Sequence, residues 1–282
     1  MSVAAPALRS PVPWRTVSWL GAIGAAAALC TLRLDLDIAS AFSVRTLDSA
    51  AETAARMWPP RTDEATLATV GRALLETLSM SAVGTLLGGL TGLLLMPFCC
   101  ETLFVRGPLV DEENRPFALR TAALVLHHAA RLVANVLRTV PYFVWAMLFW
   151  FMVGMGVVPG ALALAAHTGG VIARNYAQAL DHVDPRPSEA LRAAGARRVH
   201  VFLFGVLPAA RSALASLTLY RWEVNIRESA VLGIVGTVGL GFHVKYAFGI
   251  FDHRTATTHL LAMVAIVLCV DAFSAVVRRK LL

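Results

Sequence analysis

Residues 202–231 form an apolar run that carries Arg221, Glu223, Asn225, Arg227 and Glu228 in its middle. No other feature constrains the fold as tightly. A charge in hydrocarbon costs several kcal/mol unless it finds a partner or a water-filled cavity, so this segment must be packed among helices that supply one or the other. A glycine series, Gly233, Gly236, Gly239 and Gly241, follows at once and marks backbone that bends or approaches a neighbour closely. Composition agrees with a membrane setting: 57% hydrophobic residues, 15% charged residues and a mean hydropathy of +0.65 over 282 residues exceed what a soluble core could hide. The net charge of +7 does not indicate nucleic acid, because Lys and Arg are scattered at the ends of apolar runs rather than gathered on one face. Positive-inside orientation accounts for the scatter.

The expected fold is all-α and integral to the membrane, with about six spans at 14–32, 67–98, 142–158, 161–180, 202–231 and 260–277. Arg9 and Arg15 precede the first, which has no small-residue cleavage site and is expected to be an uncleaved helix. Arg106, Arg115 and Arg120, then Arg186, Arg192, Arg197 and Arg198, place two connections in the cytoplasm, and Arg278, Arg279 and Lys280 hold the C-terminus there. Residues 46–57 read either as a short amphipathic helix on the outer membrane face, stopped by Pro59 and Pro60, or as a connecting loop. Gly84, Gly88 and Gly92, four apart, give the second run a smooth packing face. Residues 117–138 suggest an interfacial amphipathic helix leading to a span opened by Pro141, and Pro159 with Gly160 suggest a tight outer turn. Adjacent His127 and His128 face different directions on a helix, so no metal is expected there. His167, beside Gly169 and Gly170, either bonds a neighbouring helix or lines a pathway. The four cysteines, Cys30, Cys99, Cys100 and Cys269, lack metal or disulfide spacing and read as small apolar residues.

The polar segment 183–208 begins a helix with Pro187 and with Ser188 as the expected N-cap, bends at Gly195, and resumes as a second short helix before Leu207-Pro208, making a compact docking knob. Further on, Glu223 and Arg227 have the spacing of a helical ion pair, while Arg221, Asn225 and Glu228 fall on a neighbouring stripe. Two readings of these charges fit. They form an internal network locking the helix to its neighbours, or Arg221, Asn225 or Arg227 faces a cavity and offers donors to a tetrahedral oxyanion, which guanidinium matches well. The glycine series implies a broken helix that acts as a gate or as a close-packed dimer contact. Residues 242–259, with Lys245, Arg254 and three histidines, read as an outer loop that meets a partner protein, attracts anions, or is simply solvated.

Glu189-Ala190, Gly195 and Leu207-Pro208 have the spacing of the EAA loop of the membrane subunits of binding-protein-dependent ABC importers. Leu191 stands where that pattern has a second alanine, and Gly205 where it has isoleucine. Both departures resemble the phosphonate importer branch, as do Tyr220 to Arg227, Val231 to Gly236, Leu75-Glu76-Thr77-Leu78, Pro141 with Trp145, and Ala163 to Thr168. The similarity covers 67–282, the importer transmembrane domain with its loop at about 183–208, and leaves 1–66 as an N-terminal helix and periplasmic segment.

The resemblance implies a permease of the type I importer fold in the bacterial cytoplasmic membrane, without enzyme activity of its own. It implies a homodimer with a second permease copy, two ABC ATPase subunits that bind ATP and Mg, and a periplasmic phosphonate-binding protein. Glu189, Ala190, Gly195, Leu207 and Pro208 become the ATPase-coupling residues; Arg221, Glu223, Asn225, Arg227 and His167 the pathway candidates; and Gly233, Gly236, Gly239 and Gly241 the gate candidates. No Walker-type glycine loop occurs in the chain, which agrees with ATP hydrolysis on another subunit. A related permease for methionine or a sulfonate would share the loop but lack the Tyr220 to Arg227 charges. A membrane-embedded metalloenzyme has only the eight histidines in its favour, with no paired ligand motif.

Overall fold

The computed structural model describes residues 14–33, 42–105, 116–236 and 238–281, and all regular structure among them is helical. Arg9, Arg106 and Arg115, and the side chains of Arg15 and Lys280, lie outside the described residues. The chain divides into two units, Met1–Arg56 and Met57–Leu282. The first carries α1 (Trp14–Arg33) and α2 (Val44–Met57). The apolar part of α1 runs over Thr16–Thr31, shorter than the roughly 20 residues that cross a bilayer. Helix α2 ends just before Trp58, Pro59 and Pro60, where proline cannot continue the hydrogen-bond ladder.

In the second unit, α3 (Glu64–Cys99) leads through the short α4 (Glu101–Phe104) to α5 (Phe117–Thr139) and α6 (Tyr142–Val153). Then come α7 (Val157–Asp181), α8 (Arg186–Ala193), α9 (Arg198–Val201), a π-turn (Phe202–Val206) and α10 (Leu207–Val235). Helices α11 (Leu240–Gly249) and α12 (His253–Leu281) complete it. Among the described residues, four stretches are long and apolar enough to span: α3, α7, α12 and Arg198–Gly249, the last reaching past the end of α10 into α11. A fifth exists if α5 and α6, bent by 91°, count as one.

The break falls at Pro141, where the span was expected to open, but the expected 142–158 is shortened to Tyr142–Val153. Pro141 forces Val140 into extended backbone (φ −70°, ψ 120°), and α6 then runs only 12 residues. The carbonyls freed at the bend are met by side chains: Trp145 Nε1 donates to Leu137 O at 3.2 Å, and His167 Nδ1 lies 3.2 Å from Val140 O. The expected turn at Pro159-Gly160 lies earlier, at Gly154 and Gly156 with φ of +95° and +140°, while Pro159 sits in the first turn of α7, where its missing N–H costs nothing.

Helix α7 is the centre, with 61% of its apolar window buried against 11% for α12. It packs on α3 through the expected small-residue face. A Cβ on Gly84, Gly88 or Gly92 would lie 2.6 Å from Leu164 Cβ, 2.7 Å from Thr168 Cβ or 2.5 Å from Ile172 Cγ2. Backbones can meet this closely only where side chains are absent. Two apolar clusters result. Met96, Ala134, Ile172, Tyr176 and Val206 build one toward α8, and Met80, Ala161, Leu164 and Leu232 build the other toward α11.

The residues just before α3 are clasped to the start of α12. Arg61 pairs with Asp63 at 2.8 Å and with Asp252 at 3.4 Å, and Thr258 Oγ1 donates to Arg61 O at 2.7 Å. Asp63 and Asp252 cap α3 and α12 through Thr66 and Thr255, and these hydroxyl bonds first, with Arg61 beside them, hold both carboxyls below the usual aspartate range.

Depressed carboxyl values stabilise the fold above the unfolded-state value of about 4, and the contribution is lost as pH falls through the lower folded values. Thermal stability in detergent should therefore drop as pH is lowered below about 4, and Asp252→Asn should flatten part of that drop; an unchanged profile would refute the clasp. Gly88→Val should cost about 1–3 kcal/mol by overpacking. Gly89→Ala, with open space at its Cβ, should cost nothing in the same melts, and equal stability of the two variants would count against the α3–α7 contact.

Candidate functional site

Between the two apolar clusters lies a buried polar layer built by α3, α7 and α10. Arg221 Nε donates to Thr168 Oγ1 at 3.3 Å, Thr168 Oγ1 donates to Asn225 Oδ1 at 2.9 Å, and Asn225 Nδ2 donates to Thr85 Oγ1 at 2.7 Å. Thr85 in turn donates to Ser81 O at 2.6 Å. Arg221 also pairs with Glu228 two turns along α10, at 2.8 Å. Asn225 is fully buried and Arg221 nearly so, at 7% exposure. The sequence stripe of Arg221, Asn225 and Glu228 is thus one inward face of α10, while its hydroxyl partners Thr85 and Thr168, ordinary in sequence, are found only in the fold.

The second stripe corrects an expectation. Glu223 and Arg227 take their ion pairs from α12 rather than from each other: Glu223 Oε1 lies 2.7 Å from Arg278 Nη2, and Arg227 Nη2 2.8 Å from Asp271 Oδ1. Partners on another helix tie α10 to α12, which an i, i+4 pair cannot do. Glu223 is buried, whereas the side chains of Arg227 and Asp271 are 47% and 40% exposed. Of the two cationic pathway candidates on α10, Arg227 is therefore the one with an exposed side chain. His167, half-buried against Tyr142, is used at the α5–α6 bend.

The polar segment 183–208 folds as helix, bend and helix. The N-cap of α8 is Pro185 rather than Ser188, whose Oγ donates back to Pro185 O at 2.7 Å from inside the first turn. Glu189 and Ala190 are exposed on α8, and Gly195 takes φ +82°, a conformation open to glycine without strain. The knob shares residues with the expected span 202–231, and the structure shows how. Helix α9, the π-turn and α10 are continuous, so Leu207 and Pro208 lie inside one long helix that carries the polar layer farther along. Leu191 and Gly205, the two departures from the loop pattern, face each other.

The glycine series breaks the chain between α10 and α11, with Gly236 ending one helix and Gly239 (φ +85°) starting the next. Gly233 and Gly241 face each other across the break: a Cβ on Gly233 would lie 3.0 Å from Gly241 N. Their close packing is within this chain. Segment 242–259 is helical over most of its length, not a loop, because α11 is capped from afar. Gly239 N–H donates to Glu76 Oε2 at 2.7 Å, and Leu240 N–H to Thr77 Oγ1 at 3.0 Å. A carboxylate at the positive end of a helix is favourable, and here it links α3 to residues 163 positions away. The Leu75 to Leu78 motif hinted at importance without showing this role. Among the described residues, no three His, Cys, Asp or Glu side chains gather as metal ligands.

Asn225→Ala should destabilise by about 1–3 kcal/mol, through the buried hydroxyls left without partners. Arg221→Met, which strands Glu228, should cost more, about 3–5 kcal/mol, and adding Glu228→Leu should recover much of it. Thermal unfolding in detergent reads both; wild-type stability in Arg221→Met would show that the layer is not needed.

Residues 121–282 match the family of binding-protein-dependent transport system inner membrane components. The phosphite transport system permease protein of Stutzerimonas stutzeri is 36% identical over 208 residues, which are 74% of this chain and 70% of that protein. A putative cryptic phosphonate transport system permease protein of Escherichia coli is 34% identical over 118 residues, 42% of this chain and 97% of that one. Among solved structures, a chain of the MetNI methionine ABC transporter superposes with a TM-score of 0.63 at 22% identity, covering 78% of this chain and all of that one, a likeness of fold. The chain belongs to the family of binding-protein-dependent transport system inner membrane components and is a membrane transport permease.

Proposed function

We propose that this chain is the permease subunit of an ABC importer moving phosphonate or a related phosphorus oxyanion across the bacterial cytoplasmic membrane. The observation that carries this reading is that relatives aligned over 70% and 97% of their own lengths bear names for phosphite and phosphonate transport. In this reading two copies pair, the 20-residue α1 adds a sixth span so that both termini lie in the cytoplasm, and a periplasmic phosphonate-binding protein delivers solute at the α11 end. Two ATPase subunits, which bind ATP and Mg, press on α8 and the bend after it. Exposed Glu189 offers charge-assisted bonds at that surface, Gly195 permits the bend, and Leu207 and Pro208 lie where the second arm becomes the span.

The polar layer holds α10 in place, and the half-exposed Arg227 is the group that meets a passing oxyanion, for which a planar guanidinium is geometrically suited. The break at Gly236 and Gly239, between close-packed Gly233 and Gly241 and latched by Glu76, is the element that opens. Choice among phosphonate, phosphite, hypophosphite and phosphate rests with the binding protein.

The test is uptake into proteoliposomes that contain this chain, its ATPase and its binding protein, offered phosphonate, phosphite, phosphate and methionine. ATP-dependent uptake of a phosphorus oxyanion, without methionine, is expected. Arg227→Gln should lower it about tenfold through loss of a charge-assisted contact. Uptake of methionine alone would overturn the substrate class, and full uptake by an assembled Arg227→Gln complex would remove Arg227 from the pathway.

A further inference from the structure

Helix α8 lies outside the helical bundle, and Glu189 and Ala190 on it face solvent. Its inner side is different: Ser188 is 3% exposed, and Leu191 packs onto the cluster that contains Val201, Val206 and Ala210. The helix packs on α9 and on the π-turn, so these receive any push on its outer face. Its other tie is the chain itself, through His182 and Val183 to the end of α7.

The contact between α8 and the π-turn is closely fitted. A Cβ on Gly205 would lie 3.2 Å from Leu191 Cδ1 and 3.4 Å from Ser188 Cα, so Leu191 occupies the volume that a side chain at 205 would need. Val201 and Gly205, four apart, share a face as in any helix; the widened turn over Phe202–Val206 adds Val206, five residues after Val201, to that buried face with Ala210 and leaves Leu203 and Phe204 at 45% and 70% exposure. From Gly205 the helix continues unbroken to Arg221, about 24 Å away at 1.5 Å per residue.

We propose that Leu191 and Gly205 form the mechanical joint of this permease, a matched large and absent side chain through which displacement of α8 is passed into α10 and its polar layer. Both are positioning residues, and what matters is their combined size. The inference rests on the proposed function in taking α8 as the surface that the ATPase moves.

The test measures solute transported per ATP hydrolysed by the reconstituted complex. Gly205→Ile should lower that ratio about tenfold while the permease still purifies with its ATPase. Leu191→Ala combined with Gly205→Ile should restore it to within about twofold. Should Gly205→Ile fail to assemble, Gly205→Ala with and without Leu191→Val gives the same comparison at smaller volume change. An unaltered ratio in the assembled Gly205→Ile complex, or a double variant no better than the single, would overturn the joint. Failure of the functional reading is seen separately in the wild-type complex, as absence of phosphorus oxyanion uptake, and the joint is then read from ATP hydrolysis stimulated by the binding protein.

Discussion

The side-chain amide of Asn225 uses both its ends, accepting from Thr168 on α7 and donating to Thr85 on α3. Both hydroxyls reach one amide because Gly84, Gly88 and Gly92 let α3 and α7 lie against each other with no side chain between them. In a membrane this arrangement is close to obligatory, since a polar group without a partner cannot turn to water. The small-residue face and the polar layer are therefore one device: the first supplies the distance, the second makes the distance worth keeping. Apolar clusters on either side exclude water from it.

Helix α10 has two faces with different partners. One is joined to α3 and α7 by hydrogen bonds of Arg221 and Asn225 and carries the Arg221–Glu228 pair along its own length. The other is joined to α12 by two ion pairs of opposite sense, Glu223 with Arg278 and Arg227 with Asp271. Since the charges balance within each set, α10 sits among its neighbours without a net buried charge. At one end it begins as the arm beneath α8, and at the other it ends at a break whose far side is held by Glu76. A single continuous element thus reaches from the exposed segment to the hinge.

Much of this was legible in the sequence, and the limits have physical causes. Long apolar runs, the Gly84 to Gly92 face, the bend at Gly195 and the break at the glycine series all followed from local chemistry, because span length and glycine permissiveness are local properties. Partner choice was not. Glu223 and Arg227 have the spacing of a helical pair, yet α12 offered each a partner at 2.7–2.8 Å, and tertiary contact outweighed sequence proximity. Thr85 and Thr168 could not be singled out, since a hydroxyl in a helix ordinarily bonds its own backbone. Segment 242–259 looked like a loop because the carboxylate that caps its helix lies 163 residues earlier. The separation of helices at Pro141 was legible, but not the 91° angle between them, since it depends on His167 and Trp145 meeting the freed carbonyls.

The distribution of polar groups along the chain also bears on the order in which the helices are made. Thr77 and Thr85 of α3 donate to the carbonyls of Ala73 and Ser81, so α3 can enter the bilayer with these hydroxyls already satisfied. Arg221, Glu223, Arg227 and Glu228 arrive later, two of each sign on one helix, and a pair of opposite charges follows on α12 in Asp271 and Arg278. Synthesis from the N-terminus therefore lays down Thr85 and Thr168 before Arg221 and Asn225 need them. Glu223 and Arg227 must wait for α12, so the inward face of α10 can be satisfied on arrival and its second face only when the last helix is made.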